Sequence, residues 1–399
     1  MSDTSSKSVE LHKKFQGKLE VNSRIPVKNR ADLSVVYTPG VAEPSRVIAQ
    51  DPKQSFDLTW RGRTVAVVSD GSAVLGLGNI GPEAALPVME GKSILLKEFG
   101  GVDAIPLVIN TQDTEEIIRF VRQVAPSFAG INLEDIAAPR CFEVENALQD
   151  LGIPVFHDDQ HGTAVAVTAA LQSAAKVVSK DFTDLKVTIL GAGAAGIATA
   201  KMLLGIECDS ETCTKQSSSD MQVADVILVD SKGIISTDRD DLNSHKSVIA
   251  RYSNVDGLTG SAEDALRGRD VVIGVSGPNT ISPEMVKSMA DNAIVFAMAN
   301  PTPEIMPDVA REAGAAVVAT GRSDFANQIN NVLVFPGIFR AVIDGRLDRI
   351  TLEDKQAAVK ALADMVTNPG PENIIPDPFT PGLAETVAKA ILQNRQSAS

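Results

Sequence analysis

The chain has 399 residues, 44% of them hydrophobic, enough to bury the cores of two packed domains. It is acidic, with 51 Asp+Glu against 37 Lys+Arg and no basic block, which argues against nucleic acid or an anionic membrane surface as a partner. No apolar run approaches the ~20 residues of a membrane span, the start "MSDTSSKSVELHKKF" lacks the apolar core of a secretory signal, and three cysteines are too few for a disulfide framework, so a soluble cytoplasmic protein is expected.

The first notable stretch is "VVYTPGV", where Tyr37, one of two tyrosines, ends a short apolar run. Apolar runs then recur as "TVAVVSD" (64–70), "IPLVIN" (105–110), "GINLED" (130–135) and "IPVFHDD" (153–159). They continue as "KVTILGAG" (186–193), "VILVDS" (226–231), "VVIGVSG" (271–277), "AIVFAMAN" (293–300) and "AAVVATG" (315–321). Helix-like segments such as "DTEEIIRFVRQVA" separate most of them. Continuous apolar strands alternating with helices predict an α/β protein with parallel sheets. In "VMEGKSILL", Lys92 is read as entering an apolar helix, where partial desolvation would lower its pKa and suit a base. The plainer readings are a core Tyr37 and a snorkelling Lys92. The segment "CDSETCTKQSSSD" (208–220) reads as a polar surface loop, with Cys208 and Cys213 as loop residues lacking zinc-ligand company.

Nearly every run ends in polar residues: Asp70, Asn110, Glu134–Asp135, Asp158–Asp159, Asp230, Ser276 and Asn300. In open α/β sheets, ligands bind beyond the carboxyl ends of the strands. The two acidic pairs can converge only where the backbone turns out of the strand, because neighbouring strand residues face opposite ways. Converged carboxylates would need a hard cation, Mg²⁺ or Mn²⁺; helix N-caps and solvated turns are the alternative. His157 and His161 are four apart, but with a helix starting only near "GTAVAVTAAL" they would not share a helical face, and both are expected to be packed rather than metal-bound.

Two stretches fit G-x-G-x-x-G. "GAGAAG" (Gly191, Ala192, Gly193, Ala194, Ala195, Gly196) follows a strand and opens a helix, the context of a dinucleotide loop. Asp230, ending a later strand, would bond the ribose and favour NAD over NADP, although Ser231 and Lys232 could hold a 2′-phosphate. "GLGNIG" (76–81), detached from its strand and followed by Pro82, reads as a structural turn.

Taken together, "YTPGVAEP", "VLGLGNIGPEAALPVMEGK", "NLEDIAAPRCFEVE", "VFHDDQHGTA", "ILGAGAAGIA", "VDSKG", "FAMANPTPE" and "NNVLVFPG", in this order, closely resemble the malic enzymes, most of all the short bacterial type, over almost the whole chain. The resemblance implies metal-dependent oxidative decarboxylation of L-malate to pyruvate and CO₂ with reduction of NAD (or NADP). It implies Glu134, Asp135 and Asp159 as ligands of Mg²⁺ or Mn²⁺, Lys92 as general base, Tyr37 as general acid, and Asp158 orienting the lysine. Asn300 and Asn331 would contact substrate and nicotinamide, with Ser276 and Asn300 on the cofactor side. One departure stands out: long eukaryotic-type members carry a carboxylate-clamping arginine just before "LGLG", and this chain has Ala73 at or next to that position. The expected architecture is a substrate and metal domain (1–160, joined by C-terminal helices from about 341) and a Rossmann-like domain (161–340), in a homodimer or higher homo-oligomer. A malolactic or oxaloacetate-decarboxylating relative would keep the same residues; a non-catalytic dinucleotide sensor is disfavoured because it needs no proton donor.

Overall fold

A computed structural model describes residues 3–74, 76–208, 212–216 and 220–398. Two parallel sheets organise it. The first has the order β2-β1-β3-β4 and contains β1 (Thr64–Ser69), β2 (Asp103–Val108), β3 (Gly130–Leu133) and β4 (Val155–His157). Val65 sits in register with Ala104 on one side and Gly130 on the other. β1 and β3 are buried on both faces, which is why they read as unbroken apolar runs.

The second sheet begins with β5 (Lys186–Leu190). An antiparallel hairpin, β6 (Ile206–Cys208) and β7 (Cys213–Lys215), lies apart from it. The sheet continues with β8 (Asp225–Asp230), β9 (Gly233–Ile234), β10 (Val271–Gly274), β11 (Ile294–Ala297) and β12 (Val317–Thr320). Its order is β12-β11-β10-β5-β8-β9, parallel except for the β8–β9 pair. The order reverses around β5 and β10, the place where doubly wound sheets open a ligand crevice. The three C-terminal helices, Phe335–Gly345, Leu352–Asp364 and Leu383–Ala398, pack back on the Pro82–Gly100 and Asp158–Val177 helices beside the first sheet. Among the described residues no helix is long and apolar enough to cross a membrane.

Two features differ from expectation. Cys208 and Cys213 are not partnerless loop residues but the disulfide-bonded ends of the β6–β7 hairpin. Their separation of 5 residues is that of a tight hairpin, a pairing that polar composition conceals. Residues 209–211 and 217–219 of that polar segment lie outside the described residues. The helix after β4 starts at Asp158 rather than near Gly162, because both aspartates in its first turn favour the positive end of the helix dipole.

Candidate active site

The carboxyl ends of β1, β3 and β4 deliver the acids. Glu134 leaves β3 directly, and Asp135 takes a left-handed backbone conformation (φ 55°), which asparagine and aspartate tolerate better than most residues. That single residue swings the chain out of the strand and lets two neighbours face one place. Its N–H donates to Asp159 Oδ2 at 2.8 Å and its carbonyl accepts from the N–H of Ala73. Glu134, Asp135 and Asp159 offer one carboxylate oxygen each within 4.8 Å of one another. Glu134 and Asp135 are buried and Asp159 partly so. Burial pushes the Glu134 and Asp159 carboxyls above the usual range, with Lys92 pulling the other way. Clustered, desolvated hard oxygen donors fit Mg²⁺ or Mn²⁺ rather than zinc.

Lys92 is not at a helix entrance. It sits inside the Pro82–Gly100 helix, which starts at Pro82 after the left-handed Gly81. Nζ donates to Asp158 Oδ2 at 2.6 Å, lies 2.9 Å from Glu134 Oε1, and stands 4.4 Å from the centre of the Phe335 ring. The expected lowering of its pKa is overturned: burial alone would depress it, but Asp158, Glu134 and Asp159 outweigh that and hold it above the ordinary lysine value. Asp158 is fully buried, and burial drives its carboxyl upward against the pull of Lys92.

The approach of Asp158 to Lys92 depends on Gly162, one helical turn on. A Cβ there would stand 2.0 Å from Asp158 Oδ1 and 2.9 Å from Asn331 Cβ, which also places Asn331 at this cluster. Gly162→Ala is expected to displace Asp158 and lower kcat. Overpacking costs about 1–3 kcal/mol, against about 1 kcal/mol regained in helix propensity. Net destabilisation in a urea titration, with activity lost beyond it, checks this; a more stable, fully active variant would refute it.

Several residues that sequence alone did not flag hold this arrangement. Asn132 Nδ2 donates to Glu134 Oε2 at 2.8 Å, fixing the carboxylate plane. Arg140 donates to Asp70 Oδ2 at 2.8 Å and to Ser72, tying down the loop that carries Ala73. Glu145 accepts from the His157 N–H and from Gln160 Nε2, and bonds His161 Nε2, each at 3.0 Å. Burial would raise Glu145, but His161, Lys355 and His157 outweigh it and bring it down to about 2. The only advance sign was that Asn132, Arg140 and Glu145 fall inside "NLEDIAAPRCFEVE". His157 and His161 are pushed down chiefly by burial. Neither belongs to the three-carboxylate set, though His157 Nδ1 lies 3.8 Å from Asp159 Oδ2.

The "GAGAAG" loop joins β5 to the Ala194–Leu204 helix. Gly191 has φ 117° and packs against the Val275 carbonyl, where a Cβ would come within 2.5 Å. Gly193 faces open space, and a Cβ on Gly196 would meet the Gly191 carbonyl at 1.8 Å. Turn, ligand approach and helix packing are thus divided among the three glycines, with Ala192, Ala194 and Ala195 between them. The Ser276 N–H, after β10, donates to the buried Glu304, which also accepts from Ala299 and so links the β10 and β11 ends. Asn300 lies between the "GLGNIG" turn and the end of β12: its carbonyl would be 2.7 Å from a Cβ on Gly76 and its Nδ2 2.6 Å from one on Gly321. "GLGNIG" itself is a chain reversal, with Gly76, Gly78 and Gly81 all at positive φ.

Asp230 ends β8 clasped by Arg239 (2.8 Å) and Lys246 (2.6 Å) and by the Lys232 N–H. Burial would raise it, but these hydrogen bonds hold it down to about 2. Lys232 Nζ is turned to Asp241 instead. Tyr37 is not drawn into the cluster: it is 66% exposed, and no hydrogen bond among the described residues joins it to Lys92 or the acids.

Residues 16–149 match the family model described as malic enzyme, N-terminal domain, and residues 160–391 the one described as malic enzyme, NAD binding domain. The chain is 53% identical over 380 residues to the NAD-dependent malic enzyme of Geobacillus stearothermophilus, spanning 94% of this chain and 76% of that protein. It is 50% identical over 388 residues to the bifunctional malic/malolactic enzyme of Bacillus subtilis (strain 168), spanning 96% and 91% respectively. The crystal structure of the NAD-dependent malic enzyme from Thermotoga maritima matches with a TM-score of 0.90 at 46% identity, covering 96% of this chain and 98% of that one.

Proposed function

The chain belongs to the malic enzyme family, and on that premise we propose that it oxidises and decarboxylates L-malate to pyruvate and CO₂ with NAD⁺ as the hydride acceptor. The observation carrying the reading is a buried lysine held between carboxylates at the strand ends, beside three acids suited to a divalent cation. We assign residues 1–160 and the C-terminal helices to substrate and metal, and 161–340 to the dinucleotide.

Glu134, Asp135 and Asp159 would hold Mg²⁺ or Mn²⁺, which supplies Lewis acidity toward the substrate's C2 oxygen and its developing negative charge. Gly191–Gly196 would hold the dinucleotide by its pyrophosphate, and that cofactor would supply the acceptor for the C2 hydride. Lys92 takes the C2 hydroxyl proton, with Asp158 fixing the direction of Nζ. Decarboxylation of the resulting β-keto acid leaves the enolate of pyruvate, and Tyr37 supplies the proton to C3. Asn331 and Asn300 position the substrate and nicotinamide, a task left to them in part because Ala73 offers no clamp.

The exposure of Tyr37 is reconciled with this role by assembly. The Arg30–Val36 and Ala42–Gln50 helices bury nothing, and Leu33 and Val35 on the first and Val41 just before the second are exposed on either side of it in the chain, so we infer a homodimer in which this face is covered. Sedimentation at the mass of a single chain would count against it.

The test mixes L-malate, Mn²⁺ and NAD⁺. Absorbance at the NADH band rising together with pyruvate supports the reading. Lactate without net cofactor reduction supports a malolactic activity instead, a reading favoured by the bifunctional B. subtilis relative. On the cofactor, Asp230→Ser is expected to release Arg239 and Lys246 for a 2′-phosphate. The NAD⁺/NADP⁺ ratio of kcat/KM should fall about 10-fold or more, or ~1.4 kcal/mol. An unchanged ratio would remove Asp230 as the discriminator.

A further inference from the structure

A cavity of about 750 Å³ opens between the Arg140–Ala147 helix, the Ala194–Leu204 helix and the chain around Thr351. None of Lys92, Glu134, Asp135, Asp158 and Asp159, nor any residue of the Gly191–Gly196 loop, lines it. Its volume falls in the range of small-molecule sites. Phe142, Phe156 and Met202 provide an apolar wall, and Lys201 and Lys355 bring two ammonium groups to the same space.

These two lysines are unusually placed. Both are half-buried, and burial holds each below the ordinary lysine value. They also repel each other, while Glu145 attracts both and Glu207, Asp354 and Glu353 attract Lys355 without a direct ion pair. Among the described residues no carboxylate forms an ion pair with either. Lys355 Nζ lies 3.2 Å from Nδ1 of the His161 ring, and Lys201 rests 6.0 Å from the Phe142 ring centre. Nearby acids are committed elsewhere: Glu145 to His161, Gln160 and the His157 N–H, Asp354 to Arg395, and Glu353 to Gln216. Glu207 and Asp150 remain at the rim, Asp150 paired with Arg122. Two desolvated cations with no carboxylate in direct contact among the described residues, set against apolar carbon, suit a ligand that supplies both negative charge and a nonpolar body.

We propose that this cavity is a binding site for a small organic dianion, whose negative groups lie on Lys201 and Lys355 and whose carbon frame lies on the Phe142–Met202 wall. The Lys355–His161–Glu145 chain connects it to the helix turn bearing Asp158 and Asp159, so the site is placed to serve an effector rather than a second reaction. It does not depend on the reaction assigned above.

The test is calorimetric titration of the full chain in EDTA, without malate or NAD⁺, with succinate in one arm and inorganic phosphate in the other. Without a cation the catalytic cleft presents four carboxylates to one ammonium and repels a dianion. Saturable binding is expected for at least one probe, weakened about 10-fold or more by Lys201→Gln and by Lys355→Gln. The exposed-surface control Lys360→Gln should bind as the parent does. Succinate binding assigns a dicarboxylate, and phosphate binding alone assigns a phosphorylated anion. No saturable heat with either probe, or equal binding by both lysine variants and the parent, overturns the proposal. Circular dichroism confirms folding, and because the two variants lie on different helices, either one that folds decides the question.

Discussion

Lys92→Ala is expected to lower kcat for malate oxidation by about 10²–10⁴-fold, the usual contribution of a positioned acid–base group, while NAD⁺ binding measured by calorimetry stays near that of the parent. Lys92 Nζ is buried, 2.6 Å from Asp158 and 2.9 Å from Glu134, and no other cation pairs with these two acids among the described residues. Burial favours the neutral amine, but three carboxylates outweigh it and the resting side chain is an ammonium. With Glu134 and Asp159 committed to a divalent cation, Asp158 is left as the main group holding that proton, which is how a lysine so placed becomes able to accept one from substrate. The same substitution has a stability cost. Removing one partner of a buried ion pair costs about 3–5 kcal/mol, moderated here because Asp158, already pushed up by burial, can take a proton itself. Lys92→Arg separates the two effects. It keeps the charge, but a guanidinium does not give up its proton, so a stable and inactive variant is expected. Full turnover by Lys92→Ala would end the assignment of this residue as the base.

The strands were readable because each is a short apolar run cut off by polar residues, and burial on both faces leaves that pattern undiluted, as in β1 and β3. The dinucleotide loop was readable for a local reason: its three glycines carry different steric demands within six residues of chain. What escaped is set by distant partners. Lys92 looks the same in sequence whether burial or carboxylates dominate, and only the meeting of the Pro82–Gly100 helix with β3 and β4 decides it. Glu145 reads as one more helix acid, yet three hydrogen bonds from the β4 end and the following turn converge on it. The Cys208–Cys213 pairing hid inside a polar run, since hairpin register rather than composition brings the two sulfurs together. Tyr37 marks the other boundary: a single chain displays it without determining what covers it.

Asp159→Asn is expected to weaken Mn²⁺ binding by at least about 100-fold, more than the 10–100-fold typical of losing a residue that merely supports a metal ligand. The readout is direct titration of the free enzyme followed by electron paramagnetic resonance, independent of turnover. Glu134, Asp135 and Asp159 bring three carboxylates within 4.8 Å, and Lys92 contacts Glu134 but is itself shared with Asp158. Burial therefore pushes the Glu134 and Asp159 carboxyls up. A cation that satisfies them removes this penalty, so it should stabilise the fold as well as enable the reaction. At 100 times its dissociation constant, linkage gives about 2.7 kcal/mol, and the parent should melt at higher temperature with Mn²⁺ than with EDTA. In Asp159→Asn that gain should largely vanish. The metal-free variant should be no less stable than the metal-free parent, because one of the mutually repelling charges is gone while an amide oxygen can still accept the Asp135 N–H. Loss of Mn²⁺ affinity without loss of metal-free stability is the signature of a ligand. Destabilisation with unchanged affinity would instead make Asp159 a structural acid and move the cation elsewhere.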